Sequence, residues 1–200
     1  MTDPRQEGDS PVQGLVAWLR DTVAPGAALV ADSRAVRPGD VFVALPGRVG
    51  DGRRHIGAAV AAGAAAVLSE AGGETGEPGV PHRAVEGLSA MAGHLAAQWY
   101  GDPSSRLKVV AVTGTNGKTS CTQWIARGMA EWGRRAAVIG TLGSGIVEPG
   151  EAGASLQSFG LTTPDALSLQ RMLAAFVDAG VEVVAMEASS IGIDQGRLDG

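Results

Sequence analysis

The sequence has a single cysteine, Cys121. No disulfide can form within the chain, and the composition suits a reducing compartment. Cys121 falls in the first turn of a helical pattern, where a small buried residue is expected. The three histidines, His55, His82 and His94, have no metal-ligand spacing with one another and no cysteine to join them. Each is expected to be solvated or on a helix surface. Charge is sparse, at 18% of residues with a net of −5, and no basic excess marks a general nucleic-acid binder. A nucleotide ligand stays open, because one loop can hold phosphate. The most apolar run, residues 56–68, is too short and too rich in Gly and Ala to span a bilayer. Residues 1–10 are polar and lack the cationic-then-apolar order of a signal peptide, so residues 1–11 are expected to be a disordered lead-in. No Gly-x-Ser-x-Gly elbow, Ser/His/Asp set, fixed-period repeat or low-complexity tract stands out. These absences point to a soluble cytoplasmic protein, read as a monomer, with no membrane and no nucleic-acid partner.

What is present is a 200-residue chain with 44% apolar residues, enough for one large domain or two small ones. Its organising stretch is Val109-Val110-Ala111-Val112-Thr113-Gly114-Thr115-Asn116-Gly117-Lys118-Thr119-Ser120. An apolar strand runs into a glycine-rich turn, and a helical pattern begins at Thr119 and continues to about Trp132. In that context the backbone N–H groups of loop and helix converge on one point, where the helix dipole favours an anion. Lys118 can place a charge on the β/γ-phosphates, and the Thr119 hydroxyl can ligate Mg²⁺. The spacing is a variant, since Gly-x-x-x-x-Gly-Lys-Ser/Thr would need glycine where Val112 stands.

Along the chain, Val12, Leu15, Val16 and Leu19 predict a helix, with Trp18 alongside, and residues 27–31 a strand ending at Asp32-Ser33-Arg34. A turn at residues 37–40 leads to a strand at 41–45, a glycine-rich loop at 46–52, a helix over 54–62 closed by Gly63, and a strand at 64–68. Residues 71–81 read as loop. Leu88, Met91, Ala92, Leu95 and Trp99 trace a helix, and residues 101–105 read as a boundary between domains 1–105 and 106–200. Beyond the glycine loop come a strand at 136–140, a stretch over 143–160 with no firm element, a helix over 164–178 ended by Gly180, and a strand over 181–186 with Glu187 at its end. Thr163 as N-cap with Pro164 in the first turn accounts for the start of that helix. Met172 and Leu173 read as core. Alternating strands and helices imply two α/β units with mainly parallel sheets. Three strands cannot easily form a parallel sheet covered on both faces, so the chain is expected to be the front part of a longer protein.

In an open α/β sheet, ligands bind beyond the carboxyl ends of the strands. Glu187 shares that edge with the glycine loop and is placed to face the nucleotide's Mg²⁺, making Lys118 and Glu187 the candidate catalytic pair. At this level Asp32-Ser33-Arg34 reads equally as a capped turn or a ligand cluster, while Ser189, Gln195 and Arg197 offer polar groups to an anionic ligand.

Several stretches together resemble one family, the Mur ligases of bacterial peptidoglycan synthesis. They are Asp32-Ser33-Arg34, Pro38-Gly39-Asp40-Val41-Phe42-Val43-Ala44, Gly47 with Asp51-Gly52, Thr113-Gly114-Thr115-Asn116-Gly117-Lys118-Thr119, Thr162-Thr163-Pro164, and Met186-Glu187-Ala188-Ser189-Ser190. The Gly-Thr-Asn-Gly-Lys-Thr and Thr-Thr-Pro forms resemble the branch that adds the third peptide residue to UDP-N-acetylmuramoyl-L-alanyl-D-glutamate, rather than the branch acting next. The resemblance implies an α/β UDP-binding N-terminal domain and the first part of a P-loop ATP-binding domain. It implies that Gly114, Thr115, Asn116, Gly117, Lys118, Thr119 and Ser120 bind ATP, with Thr119 and Glu187 at Mg²⁺. It also implies that Ser33, Arg48, Val49, Gly50, Thr162, Thr163, Ser189, Gln195 and Arg197 hold the UDP-muramoyl-dipeptide. The second substrate would be a diamino acid; the resemblance leaves meso-diaminopimelate and lysine both open, with meso-diaminopimelate expected as the commoner substrate. Ile191 departs from the family, which commonly has histidine there. Family members are at least about twice this long, so these 200 residues alone are expected not to turn over. The competing readings are a neighbouring branch of the family, a folylpolyglutamate-synthase-like ligase, and a non-catalytic nucleotide-sugar binding module.

Overall fold

A computed structural model describes residues 10–47, 50–73, 76–150, 156–158 and 160–200. The chain divides into two compact units, Met1–Trp99 and Tyr100–Gly200.

In the first unit, helix α1 (Pro11–Thr22) starts at the edge of the stretch expected to be disordered. Ser10 and Pro11 are ordered: the Ser10 backbone N–H donates to Gln13 Oε1 at 3.2 Å, and Pro11, which needs no helical N–H partner, takes the first turn. Residues 1–9 lie outside the described residues. Strands β1 (Leu29–Val30), β2 (Val41–Ala44), β3 (Ala66–Glu70) and β4 (His82–Val85) form a parallel sheet in that order. Every residue of β2 is buried, as expected where a parallel sheet is covered on both faces. Phe42, Ala44 and Val67 meet Ile56 and Ala59 of helix α2 (Ile56–Ala61), which a 3-10 turn over Gly52–His55 precedes. Helix α3 (Leu88–Trp99) packs on α1 and β3, and its last residue donates from Trp99 Nε1 to the Ala27 carbonyl at 2.9 Å.

Strand β4 has no counterpart in the sequence reading. Its His82-Arg83 start is polar, and an edge strand with a single neighbour needs no apolar run to pair. His82 is on this strand rather than on a helix: its Nε2 is 2.9 Å from Ser69 Oγ, and the Arg83 guanidinium lies 4.8 Å from the Trp18 ring.

In the second unit, a 3-10 turn over Pro103–Arg106 occupies most of the segment read as a boundary. Strand β5 (Lys108–Val112) leads to helix α4 (Lys118–Glu131). Strands β6 (Ala136–Gly140) and β7 (Gly143–Val147) form a hairpin, helix α5 (Ala166–Asp178) leads to strand β8 (Val183–Glu187), and a short helix α6 (Ser190–Asp194) follows. The sheet order is β5-β8-β6-β7, with β6 and β7 antiparallel and the other pairs parallel. Period-2 alternation sorts the two faces. Ala136, Val138 and Ala185 meet Ala126 and Ala130 of α4, whereas Ala137, Ile139, Val184 and Met186 meet Leu169, Leu173 and Phe176 of α5.

Three expectations are corrected here. The stretch over 143–160 is not without structure: β7 makes a fourth strand, and Ser144 forms an isolated bridge with Gln157. Glycine at Gly143 and Gly145 concealed the strand. The N-cap of α5 is Asp165, whose side chain accepts from the Ser168 N–H at 3.0 Å, so Thr163 and Pro164 precede the helix. Cys121 is exposed, because α4 buries Thr122, Ala126 and Ala130 and turns the neighbouring stripe outward.

Candidate functional site

The strand order creates the site. The path from β5 through α4 to β6 passes over β8, which returns between them, so the carboxyl ends of β5 and β8 are adjacent. Val112 pairs with Glu187, the last residue of each strand. In open α/β sheets, ligands bind beyond the carboxyl ends of such neighbouring parallel strands.

The glycine loop leaves β5 there. Gly114 (φ +139) and Gly117 (φ +82) take positive φ values that side chains disfavour, and Gly117 occupies the N-cap of α4. Residues 113–117 are exposed, with their backbone at the positive end of a 14-residue helix. Lys118 Nζ donates to the Gly114 carbonyl at 2.7 Å, so the ammonium lies back across the loop. Thr119, one residue into the helix, turns towards the sheet and donates from Oγ1 to Glu187 Oε1 at 2.9 Å.

Glu187 is 1% exposed, and a carboxylate taken out of water needs donors on its oxygens. Besides Thr119, the Thr141 N–H donates to Oε1 at 2.8 Å and Thr141 Oγ1 donates to Oε2 at 3.2 Å. A Cβ on Gly140 would coincide with the Glu187 carboxylate, so β6 must end in glycine for the side chain to fit. Neither Gly140 nor Thr141 figured among the expected site residues. A small residue ending a strand beside one that ends in an acid is the signal they offered.

Thr162 and Thr163 approach from the segment before α5. The hydroxyls of Thr162 and Thr141 lie 3.1 Å apart. Thr163, 1% exposed, donates to the Glu187 carbonyl at 2.9 Å and accepts from the Ser189 N–H at 3.0 Å. Ser189 caps α6 by accepting from the Gly192 N–H at 3.0 Å. Arg197 Nη1 donates to the Thr163 carbonyl at 2.8 Å, and Arg197 Nε donates to Gln195 Oε1 at 2.9 Å. The fold therefore brings Lys118, Thr119, Glu187, Thr162, Thr163, Ser189, Gln195 and Arg197 to one edge of one sheet. In this arrangement the Thr163 hydroxyl is committed to holding the backbone.

In the first unit, Ser33 and Gly50 occupy the corresponding carboxyl edge, beyond β1 and β2 respectively. Ser33 opens a 3-10 turn capped by Asp32, which accepts from the Arg34 N–H at 3.0 Å and pairs with its guanidinium at 2.7 Å. The side-chain hydrogen bond from Arg34 holds the Asp32 carboxyl below its usual range. The Gly47 N–H donates to the Gly50 carbonyl at 2.7 Å, and the Gly52 N–H to the Leu45 carbonyl at 2.9 Å. Asp51 binds Arg53 at 2.7 Å, and that bond lowers its pKa to about 2. Arg48 and Val49, both expected to touch substrate, lie outside the described residues.

The donor chemistry fits a nucleotide with Mg²⁺. Thr119 and Glu187 supply only hard oxygen atoms, as Mg²⁺ prefers, and Gly140 leaves the carboxylate its space.

Comparison with known proteins identifies the family. Residues 27–100 match the Mur ligase family catalytic domain, and residues 112–200 match the Mur ligase middle domain. A UDP-N-acetylmuramoyl-L-alanyl-D-glutamate–2,6-diaminopimelate ligase of Ralstonia nicotianae is 52% identical over an alignment of 193 positions that covers 93% of this chain and 36% of the relative. The enzyme of the same name from Janthinobacterium sp. is 48% identical over 188 residues, 93% of this chain and 37% of its own. A solved structure titled as that ligase superposes with a TM-score of 0.67 at 34% identity, over 86% of this chain and 34% of its own. The chain thus spans little more than a third of the length of the relatives it matches. With both regions matched in order and an α/β architecture in common, the chain belongs to the Mur ligase family.

Proposed function

We propose that this chain supplies the nucleotide-binding and UDP-muramoyl-peptide-binding segments of an ATP-dependent amide ligase of peptidoglycan precursor synthesis, of the MurE type. The observation that carries the reading is the 2.9 Å bond between Thr119 Oγ1 and Glu187 Oε1, which joins the phosphate loop to the acidic end of the neighbouring strand. The reaction is the addition of meso-diaminopimelate to UDP-N-acetylmuramoyl-L-alanyl-D-glutamate in the cytoplasm by a monomer. The relatives carrying that name support the choice of substrate.

The chemistry is carboxylate activation. The D-glutamate side-chain carboxylate attacks the γ-phosphorus of ATP, giving an acyl phosphate and ADP. The amine of the diamino acid then attacks the acyl carbon, and phosphate leaves as the amide forms. Such a reaction asks a protein mainly to position reactants and to neutralise charge. The N–H groups of the loop, from Gly114 to Ser120, would cradle the phosphates, and Lys118 would leave the Gly114 carbonyl to meet them. Thr119 and Glu187 would hold Mg²⁺, which offsets phosphate charge when bound. Thr162 and the Ser189–Arg197 turn would face the acceptor, Thr163 would hold that turn in place, and Ser33 with the loop around Gly50 would take the UDP end.

Calorimetric titration tests the reading. The chain is expected to bind ADP with Mg²⁺ and, separately, UDP-N-acetylmuramoyl-L-alanyl-D-glutamate, with Lys118→Ala weakening only the first. Binding of the UDP compound without any nucleotide binding would favour a nucleotide-sugar module over a ligase.

A further inference from the structure

Thr141 belongs to none of the motifs that pointed to the site, yet it makes more contacts with Glu187 than the phosphate loop does. It stands just beyond β6, which lies on the side of β8 away from the glycine loop. Its backbone N–H takes Oε1 and its hydroxyl takes Oε2, so one residue grips both carboxylate oxygens. Gly140 before it leaves the space that the carboxylate fills. The same hydroxyl lies 3.1 Å from Thr162 Oγ1, so Thr162, Thr141 and Glu187 form one continuous line of polar contacts.

We propose that Thr141 is a positioning residue for the divalent cation of the bound nucleotide, acting by fixing both oxygens of Glu187. The proposal rests on the nucleotide reading of the site given above. A carboxylate that ligates a metal has to present its lone pairs in one direction, and partners that hold such ligands commonly set metal affinity by an order of magnitude or more. Thr119 cannot fix the direction alone, because it touches one oxygen and leaves the carboxylate free to turn about that contact. Thr141 closes the second oxygen. Through Thr162 it also ties the cation's ligand to the Thr162-Thr163 segment, so the cation side and the acceptor side of the site share one hydrogen-bonded path.

The test is calorimetric titration of ADP into the full chain, with Mg²⁺ and with chelator, for the unaltered chain, Thr141→Ser and Thr141→Val. Thr141 is exposed at the sheet edge, and valine matches its shape while deleting the hydroxyl. The expected result is that valine lowers the Mg²⁺-dependent gain in ADP affinity about tenfold and leaves Mg²⁺-free ADP binding unchanged, while serine preserves the gain. Full retention of the gain in Thr141→Val overturns the proposal. Equal weakening with and without Mg²⁺ also overturns it, since that marks a structural role. If the unaltered chain shows no Mg²⁺-dependent gain, or if Lys118→Ala binds ADP as well as the unaltered chain, the nucleotide reading itself fails, and the proposal with it.

Discussion

Gly140 has no room for a side chain because the carboxylate of Glu187 occupies the place its Cβ would take. The two residues end neighbouring strands, and the register that aligns Ile139 with Met186 brings them side by side. The absence of one side chain thereby sets the position of another, and through it the hydrogen bonds to Thr119 and Thr141.

Gly140→Ala follows directly. The added methyl must displace Glu187 from a packed site, and overpacking of this kind costs about 1–3 kcal/mol. Urea unfolding should show a lower midpoint with an unchanged slope, and the Mg²⁺-dependent part of ADP binding should fall as well. An alanine variant of full stability would mean that the carboxylate rests elsewhere.

Lys118→Ala is expected to separate binding from folding. Among the described residues its ammonium bonds only an exposed loop carbonyl, so unfolding should change little. A charge-assisted bond to phosphate is worth about 1.5–3 kcal/mol, which predicts a roughly ten- to hundredfold loss of ADP affinity by titration calorimetry.

Thr163→Val should behave in the opposite way. The hydroxyl is buried and serves the Glu187 carbonyl and the Ser189 N–H. Deleting it strands both, at about 1–3 kcal/mol for an unsatisfied buried group. Denaturant unfolding measures the loss, and Thr163→Ser should recover most of it.

Asp165→Ala tests where α5 begins. Loss of the bond from the Ser168 N–H should cost about 1 kcal/mol, as for other N-caps. An equal cost from Pro164→Ala, with none from Asp165→Ala, would move the helix start back to Thr163.

Acidification should weaken the first unit in two stages. Burial holds the His82 pKa below 6.5, so the folded state resists a proton that the unfolded chain accepts, and stability falls as pH drops below that value. Burial raises the Glu70 pKa, but hydrogen bonds from Ser89, Gly87 and Leu88 outweigh it and leave the pKa below 4.5. Asp51, held at about 2 by Arg53, has the same sign. Both carboxylates stabilise the fold above their unfolded values, and that contribution is lost as pH falls through the folded ones. Unfolding midpoints measured from pH 7.5 down to about pH 2 should decline in two steps, and His82→Asn should flatten only the upper one.

The phosphate loop was legible because its requirements are local. Gly114 and Gly117 relieve positive φ, Lys118 and Thr119 follow at fixed offsets, and the apolar strand before them announces itself. The heptad-like spacing of Val12, Leu15, Val16 and Leu19 marked α1 for the same reason. The hairpin strand β7 and the edge strand β4 were not legible. Neither needs a continuous apolar run: β4 is stabilised by pairing with β3, 15 positions earlier (82 − 67), while β7 folds back on the adjacent β6 and its glycines, Gly143 and Gly145, hide the alternation.

The sequence by itself determined the α/β class, the phosphate loop and the acid at the end of β8, since periodicity and turn chemistry act over a few residues. Only the tertiary structure decided that β8 lies between β5 and β6, and with that order came the hydrogen bonds of the Glu187 carboxylate to Thr119 and Thr141. Thr119, Thr141 and the Cβ-free space at Gly140 are 68, 46 and 47 positions from Glu187 along the chain (187 − 119, 187 − 141 and 187 − 140). No local propensity spans such separations. Strand order and register place these groups within hydrogen-bonding reach, and burial makes their pairing necessary.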